Sequence, residues 1–384
     1  MKNRVLPALT AMLLVFCFAA AGYAEEKEPY HIGGVFSITG SAAWLGEPAR
    51  NTVEMIAEEI NDNGGINGRM IELHIEDTQG SNTRAVNAVR KLIKKNDVCA
   101  IIGPSRSGTS LAAVPVAEKA QIPMLSCAAA ASITNPPEDR RFVFKMGQND
   151  SDAARRIYEH MNENDIEKVG ILTGTTGFGD AGRTQLKELA EEYGIEIVAD
   201  ETYGPGDTDM TAQLMGIRRT DAGAVINWSI VPAQSIVPKN MKQLNMQMQL
   251  YQSHGFANTK YVEAAGQAAE GSIFPSGRIM AASTVPEDHP QKDALVSYKE
   301  NYESTYGEAV TTFGGHAYDA IHIIAKALEE VGNDPVEIRD AIEEMEFVGI
   351  SGVFNFSGDD HCGLSKEDFE MMTVKDGKIV VLDK

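Results

Sequence analysis

The feature that most restricts this chain is a rhythm. Short apolar or alternating runs of strand length are separated by single amphipathic helical stretches, beginning near Tyr30 and beginning again after Gly147. "YHIGGVF" reads as a strand, residues 48–63 carry helical periodicity ending in the Gly- and Asn-rich "NDNGG", and "MIELHIED" alternates as a strand. Residues 82–95 set Val86, Val89, Leu92 and Ile93 on one helical face; "VCAIIG" suits a central parallel strand, "TSLAAVPVAEKA" a helix and "IPMLS" another strand. The second round repeats the order with "DSDAARRIYEHMNEN", "KVGILT", "GDAGRTQLKELAEEYG", "IEIVADE", "DMTAQLMGIRR" and "AGAVINW". "VPAQSIVPKNMKQLN" follows, a helix that Pro238 must bend or interrupt. Strands separated by single helices form βαβ units, and serial βαβ units form parallel sheets covered on both faces. The expected fold is therefore α/β, with two doubly wound parallel-sheet lobes.

After "GSIFPSG" the pattern changes to helices over 292–306, 312–331 and 335–345, and then to small strands ending in a "KDGK" hairpin turn. No low-complexity linker separates the halves, which implies several chain crossings between the lobes. The expected division is 25–147 with 277–351 in one lobe and 148–276 with 352–384 in the other. Residues 25–384 are also too many for one ordinary core.

The first 24 residues stand apart. Lys2 and Arg4 precede an apolar run over 8–21, and Gly22-Tyr23-Ala24 supplies small residues at the positions a signal peptidase reads. The run is too short for a membrane span, and Phe16 before Cys17 is too bulky for lipoprotein cleavage. A soluble, exported chain beginning near Glu25 is the expectation. Its net charge of −21 makes it a poor binder of nucleic acid or anionic membrane. Cys99, Cys127 and Cys362 are an odd number in apolar contexts, so they read as buried free thiols without a disulfide framework. The eight histidines show no zinc spacing, His316 and His322 lying six apart, and no metal or cofactor is expected.

One loop carries most of the chemistry. Gly103 and Gly108 have the spacing of a phosphate-binding loop, but Thr109 stands where its lysine belongs and no acid offers a magnesium role. The loop joins the end of a strand to the start of a helix, where ligands bind in open α/β sheets and free amides favour an anion. Ser105, Ser107, Thr109 and Ser110 add hydroxyls, and Arg106 offers a two-pronged donor for a carboxylate. The bland alternative is a serine-rich helix cap with Arg106 in solvent. "GTSLA" approaches the nucleophile elbow of a hydrolase, but Ala112 replaces the last glycine and Ser110 falls inside the helix. Other strand ends bring Ser37, Trp44 and Leu45, then Ser126, Ala128 and Ala130, then Phe178, Trp228 and His254. Together these would line one crevice with apolar walls and a few polar anchors.

"IGGVFSITGSAAWLG", "EEINDNGGINGRMIELHIEDTQG", "IIGPSRSGTSLAAVPVAEKAQIPMLS", "TTGFGDAG" and "FGGHAYDAIHIIAKAL" resemble the leucine/isoleucine/valine-binding group of periplasmic solute-binding proteins, which serve ABC importers. The resemblance spans residues 32–328. It implies two lobes joined by three crossover segments, a monomer that closes on a small amino acid or carboxylate, and a membrane permease as partner. It places 105–107 and 126–130 on the ligand's carboxylate and amine, with Phe178 and Trp228 as walls. Two residues depart from the amino-acid binders. His254 stands where they place the acid that pairs with the α-ammonium, and Ala130 stands where they place Thr. A carboxylate without an amine is therefore a rival ligand. A sensory receptor on the same fold and an exported hydrolase are the alternative functions.

Overall fold

The computed structural model describes residues 27–383; the expected leader lies outside them. In chain order the first half runs β1 (Tyr30–Phe36), α1 (Ala43–Asp62), β2 (Ile71–Asp77), α2 (Asn82–Lys95), β3 (Ala100–Ile102), α3 (Ser107–Ala120), β4 (Met124–Ser126) and β5 (Val143–Lys145). These strands form an all-parallel sheet in the order β2-β1-β3-β4-β5. The chain then crosses to a second sheet through α4 (Asp150–Glu163), β6 (Lys168–Gly174), α5 (Gly177–Leu189), β7 (Glu196–Tyr203), α6 (Thr211–Arg218) and β8 (Ala224–Trp228). It continues with α7 (Ile236–Gln243), β9 (Gln249–Gln252), α8 (Thr259–Ala265) and β10 (Ile273–Ser276). Pro238 does split its helix: a 3-10 turn over Pro232–Ser235 precedes α7, which leaves the proline in the first turn, where no N–H is missed.

A second crossing leads to α9 (Lys292–Tyr306), α10 (Thr312–Val331), α11 (Pro335–Glu343) and the hairpin β11 (Glu346–Val348) and β12 (Val353–Asn355). A third returns the chain to β13 (Glu370–Lys375) and β14 (Lys378–Val381). The second sheet runs β14-β13-β10-β9-β8-β6-β7, parallel except for the last hairpin. The return comes later than the boundary expected at residue 352. Phe354, Phe356, Cys362 and Leu364 pack with α10, α11 and the first sheet, because β12 pairs with β11 and keeps the segment on that side.

The lobes are shut against each other. Ala42, Leu45 and Ala129 of the first half pack into the core of the second sheet. At the mouth, a Cβ on Gly177 at the start of α5 would lie 2.7 Å from the Gly108 Cα in the first turn of α3, so the two helix starts touch backbone to backbone. A latch forms where α1 passes. α1 begins earlier than the sequence pattern suggests, so Pro48 sits within it and cannot donate to the Trp44 carbonyl. Asn258, on the opposite lobe, donates its side-chain N–H to that carbonyl at 3.2 Å. No helix among the described residues is long and apolar enough to cross a membrane.

Candidate functional site

The site begins where β3 ends. Gly103 has φ +97°, and a Cβ there would lie 2.3 Å from the Val35 carbonyl oxygen, so only glycine lets the chain turn this close to β1. The turn delivers Ser105 and Ser107 to the interface between the lobes, with Ser107 opening α3. The Ser105 Oγ accepts from the Ser37 N–H and the Ser107 Oγ from the Ala130 N–H, both at 3.3 Å. A hydroxyl whose oxygen is held by a backbone amide still has its own O–H to give. Two such donors, beside the positive end of α3, therefore face the cavity.

That cavity lies between the lobes. From the first half come Ser105, Ser107, Cys127, Ala128, Ala129 and Gln148; from the second come Phe178, Ile230, His254 and Gly255. The second crossing adds Gly277, the start of α10 adds Thr312, Phe313 and His316, and the third crossing adds Phe369. Its free volume is about 20 Å³, which is room for about one water molecule. A solute of amino-acid size must therefore part the lobes to enter. The lining contains no aspartate or glutamate.

Two histidines dominate the polar lining. His254 is buried with both ring nitrogens lacking a hydrogen-bond partner. Its ring is wedged among Phe178, Trp228 and Phe369, at centroid distances of 5.1, 5.6 and 5.5 Å. Burial, and then the neighbouring His316 and Lys145, push its pKa down to about 3, so at neutral pH it is an uncharged imidazole with one donor and one acceptor. His316, in the second turn of α10, is likewise lowered to about 4 by burial. Its Nδ1 lies 3.2 Å from the Cys127 carbonyl. Since a carbonyl only accepts, Nδ1 carries the proton and Nε2 remains an acceptor.

Below the cavity, Lys145 is fully buried and donates to the Gly147 carbonyl at 2.6 Å and to the Cys362 sulfur at 3.3 Å, tying the first crossing to the third. No carboxylate among the described residues forms an ion pair with it within 4.0 Å. Asp150 is the nearest buried acid in sequence. Its Oδ1 accepts from the Ala131 and Ser151 amides, and it does not line the cavity. No acid lines the cavity itself; Asp150 and Asp319 lie behind it, each held by backbone amides.

Of the residues singled out in the sequence, Ser105, Ser107, Ala128, Phe178 and His254 line this cavity. Ala130 sits just behind, its amide holding Ser107. Ser37 is fully buried, bonded to Thr78 and Ser105. Ser126 is occupied with Ser110, which also reaches the Pro104 carbonyl, so the supposed nucleophile touches no histidine. Leu45 packs in the second core and Trp44 lies edge-on to Tyr261. Arg106 does not reach the cavity. Its guanidinium, half-buried, donates to the Gly80 carbonyl at 3.3 Å in the groove at the cleft mouth, which shares Ser107 and Phe178 with the cavity. Trp228 is not a wall either. Gly182 leaves room for its indole, whose Nε1 would lie 2.0 Å from a Cβ there, so it backs Phe178 from behind.

Sequence reasoning missed His316, Thr312, Phe313 and Phe369. The signal was "FGGHAYDA", a histidine beside paired glycines at a helix start.

The geometry is that of a cleft closing on a small solute, and the comparisons agree. The sequence profile of a family described as "Periplasmic binding protein" matches residues 29–378. The "Leucine-, isoleucine-, valine-, threonine-, and alanine-binding protein" of Pseudomonas aeruginosa is 24% identical over 371 residues, covering 95% of this chain and 94% of its own. An extracellular ligand-binding receptor from Rhodopseudomonas palustris HaA2 superposes with a TM-score of 0.86 at 26% identity, over 92% of this chain and 99% of that one. The branched-chain amino acid transporter substrate binding protein LivJ of Streptococcus pneumoniae, in complex with isoleucine, does so with a TM-score of 0.81 at 27% identity, over 91% and 97%. These are binding proteins rather than enzymes, and the chain belongs to the periplasmic binding protein family.

Proposed function

We propose that this chain is an exported periplasmic monomer that captures a small carboxylate lacking an α-ammonium, an aromatic or aliphatic acid, and presents its closed form to the permease of an ABC-type importer. The observation that carries the ligand class is the lining: two serine hydroxyls free to donate, an unpartnered neutral histidine, and no acid. A carboxylate accepts from Ser105, Ser107 and the N–H of His254, in the field of Lys145 and of the α3 and α5 starts. An α-ammonium would be buried beside His254 with no counter-charge, which costs several kcal/mol. Phe178, Phe313 and Phe369 supply flat apolar surface to the rest of the molecule.

Closure is the working step. The acid docks on the first lobe, and the second lobe brings Phe178 and His254 over it. Contacts made only when shut shift the open–closed equilibrium. The test is calorimetric titration of the chain from Glu25, unfolded and refolded to strip carried solute, with benzoate-type acids, short aliphatic acids, and leucine, isoleucine and valine. Binding of acids with no response to the amino acids supports the reading. Tight binding of branched-chain amino acids refutes it.

A further inference from the structure

Away from the cleft, the first two strands assemble a cluster that no local spacing announces. β1 and β2 pair in parallel with His31 opposite Glu72 and Gly33 opposite His74. Alternation along the strands turns all three side chains to the face covered by α2. His31 Nδ1 lies 3.0 Å from His74 Nε2. The Glu72 carboxylate spans both, with one oxygen 3.7 Å from His31 Nδ1 and the other 3.6 Å from His74 Nε2. Among the described residues this is the one group of three that brings candidate metal-ligand atoms so close together.

The closest approaches among the three side chains, 3.0, 3.6 and 3.7 Å, bracket what a metal needs. Donors about 2.0–2.1 Å from a tetrahedral zinc ion stand roughly 3.3 Å from one another. Shifts of a few tenths of an ångström would convert the cluster into a coordination face. Two imidazoles and one carboxylate suit zinc and its first-row neighbours better than calcium or magnesium, which prefer all-oxygen shells. Access is open: the side chains of His31, His74 and Glu72 are 30%, 18% and 53% exposed.

An outer partner is also in place. Asn96, the C-cap of α2, sets its amide 3.0 Å from His74 Nδ1, and its Oδ1 is buried without a hydrogen-bond partner. Turned over, the amide gives Oδ1 to a proton on Nδ1. That tautomer leaves the His74 Nε2 lone pair free for an ion, as outer-shell acceptors do for ligating histidines.

We propose that His31, His74 and Glu72 form a binding site for one divalent first-row transition-metal ion, zinc being the representative, with solvent completing the shell. The ion would clip β1 to β2 on the flank of the first lobe and take no part in holding the solute. The chain from Glu25, without an affinity tag and stripped with chelator, is titrated with Zn²⁺ by calorimetry. One ion per chain is expected, with X-ray absorption showing two imidazoles. His74→Gln should abolish the event, and Glu72→Gln, at a half-exposed carboxylate that leaves the fold alone, should weaken it about tenfold or more. Solute binding should be unchanged in both variants. Absence of a stoichiometric Zn²⁺ event in the native chain overturns the proposal. So does native-like affinity in Glu72→Gln, which would move the ion elsewhere, for instance to the cleft histidines.

Discussion

Replacing His254 by leucine should make the solute-free protein more stable and the binder worse. Both ring nitrogens of His254 are buried without a partner, and a buried unsatisfied polar atom costs about 1–3 kcal/mol. Leucine has similar bulk and removes both. Against that gain stand the ring contacts with Phe178, Trp228 and Phe369, worth about 0.5–1.5 kcal/mol apiece. Taking central values, the variant gains about 1 kcal/mol. At roughly 2 °C per kcal/mol for a chain this large, the melting temperature rises about 2 °C. In the same variant the acid loses a buried donor, and its affinity should fall about tenfold or more. Thermal unfolding of the stripped protein gives the first number and calorimetric titration the second. A less stable variant with native affinity would refute the argument and make His254 a packing residue.

The remaining predictions concern closure and proton linkage. Gly177→Val forces side-chain atoms against the Gly108 backbone; at about 1–3 kcal/mol against the closed form, affinity should drop between about fivefold and a hundredfold, with a larger radius of gyration in saturating ligand by X-ray scattering. Asn258→Asp keeps the cap on the Lys260 amide but sets an acceptor-only carboxylate against the Trp44 carbonyl at a fully buried position, so the closed form should be disfavoured and affinity fall about fivefold or more by titration. The advantage of His254→Leu should also grow on acidification. The folded pKa of His254, about 3, lies below the unfolded reference of 6.5. Between those values the unfolded chain holds a proton that the folded chain lacks, so native stability loses about 1.4 kcal/mol per pH unit as pH falls, a loss the leucine variant does not share. Unfolding of both proteins at pH 7 and pH 5 checks it, and parallel profiles would contradict it.

Much of the architecture was legible because it rests on periodicity. The helices expected over 292–306 and 312–331 are α9 and α10 to the residue, and each expected strand of the first half is present. β5 was not read, since three residues after the proline-rich "NPPEDRR" carry no periodic signal. Pro48 looked like a helix start because proline suits the first turn; a carbonyl freed within α1 became tolerable only through Asn258, far away in sequence. The site was legible as strand ends but not as side-chain directions. Arg106 and Trp228 were placed in the right loops, yet Arg106 stops at the cleft mouth and the space above Gly182 takes Trp228 behind Phe178. His316 enters from the start of α10 and Phe369 from the third crossing, both far in sequence from the strand-end loops. The His31–His74 pair depends on strand register, which local spacing does not encode.

The contact between Gly108 and Gly177 brings two helix starts face to face. Each carries about half a positive elementary charge, and at about 5 Å in a partly buried setting they repel by roughly 1 kcal/mol. Asp180, in the first turn of α5, offsets part of that repulsion, and what remains loads the shut cleft like a weak spring. The proposed anion would both bridge the lobes and cancel the remaining repulsion, so charge neutralisation would help set how long the cleft stays shut. Added salt, by screening the two helix ends, should relax the spring even in the absence of solute.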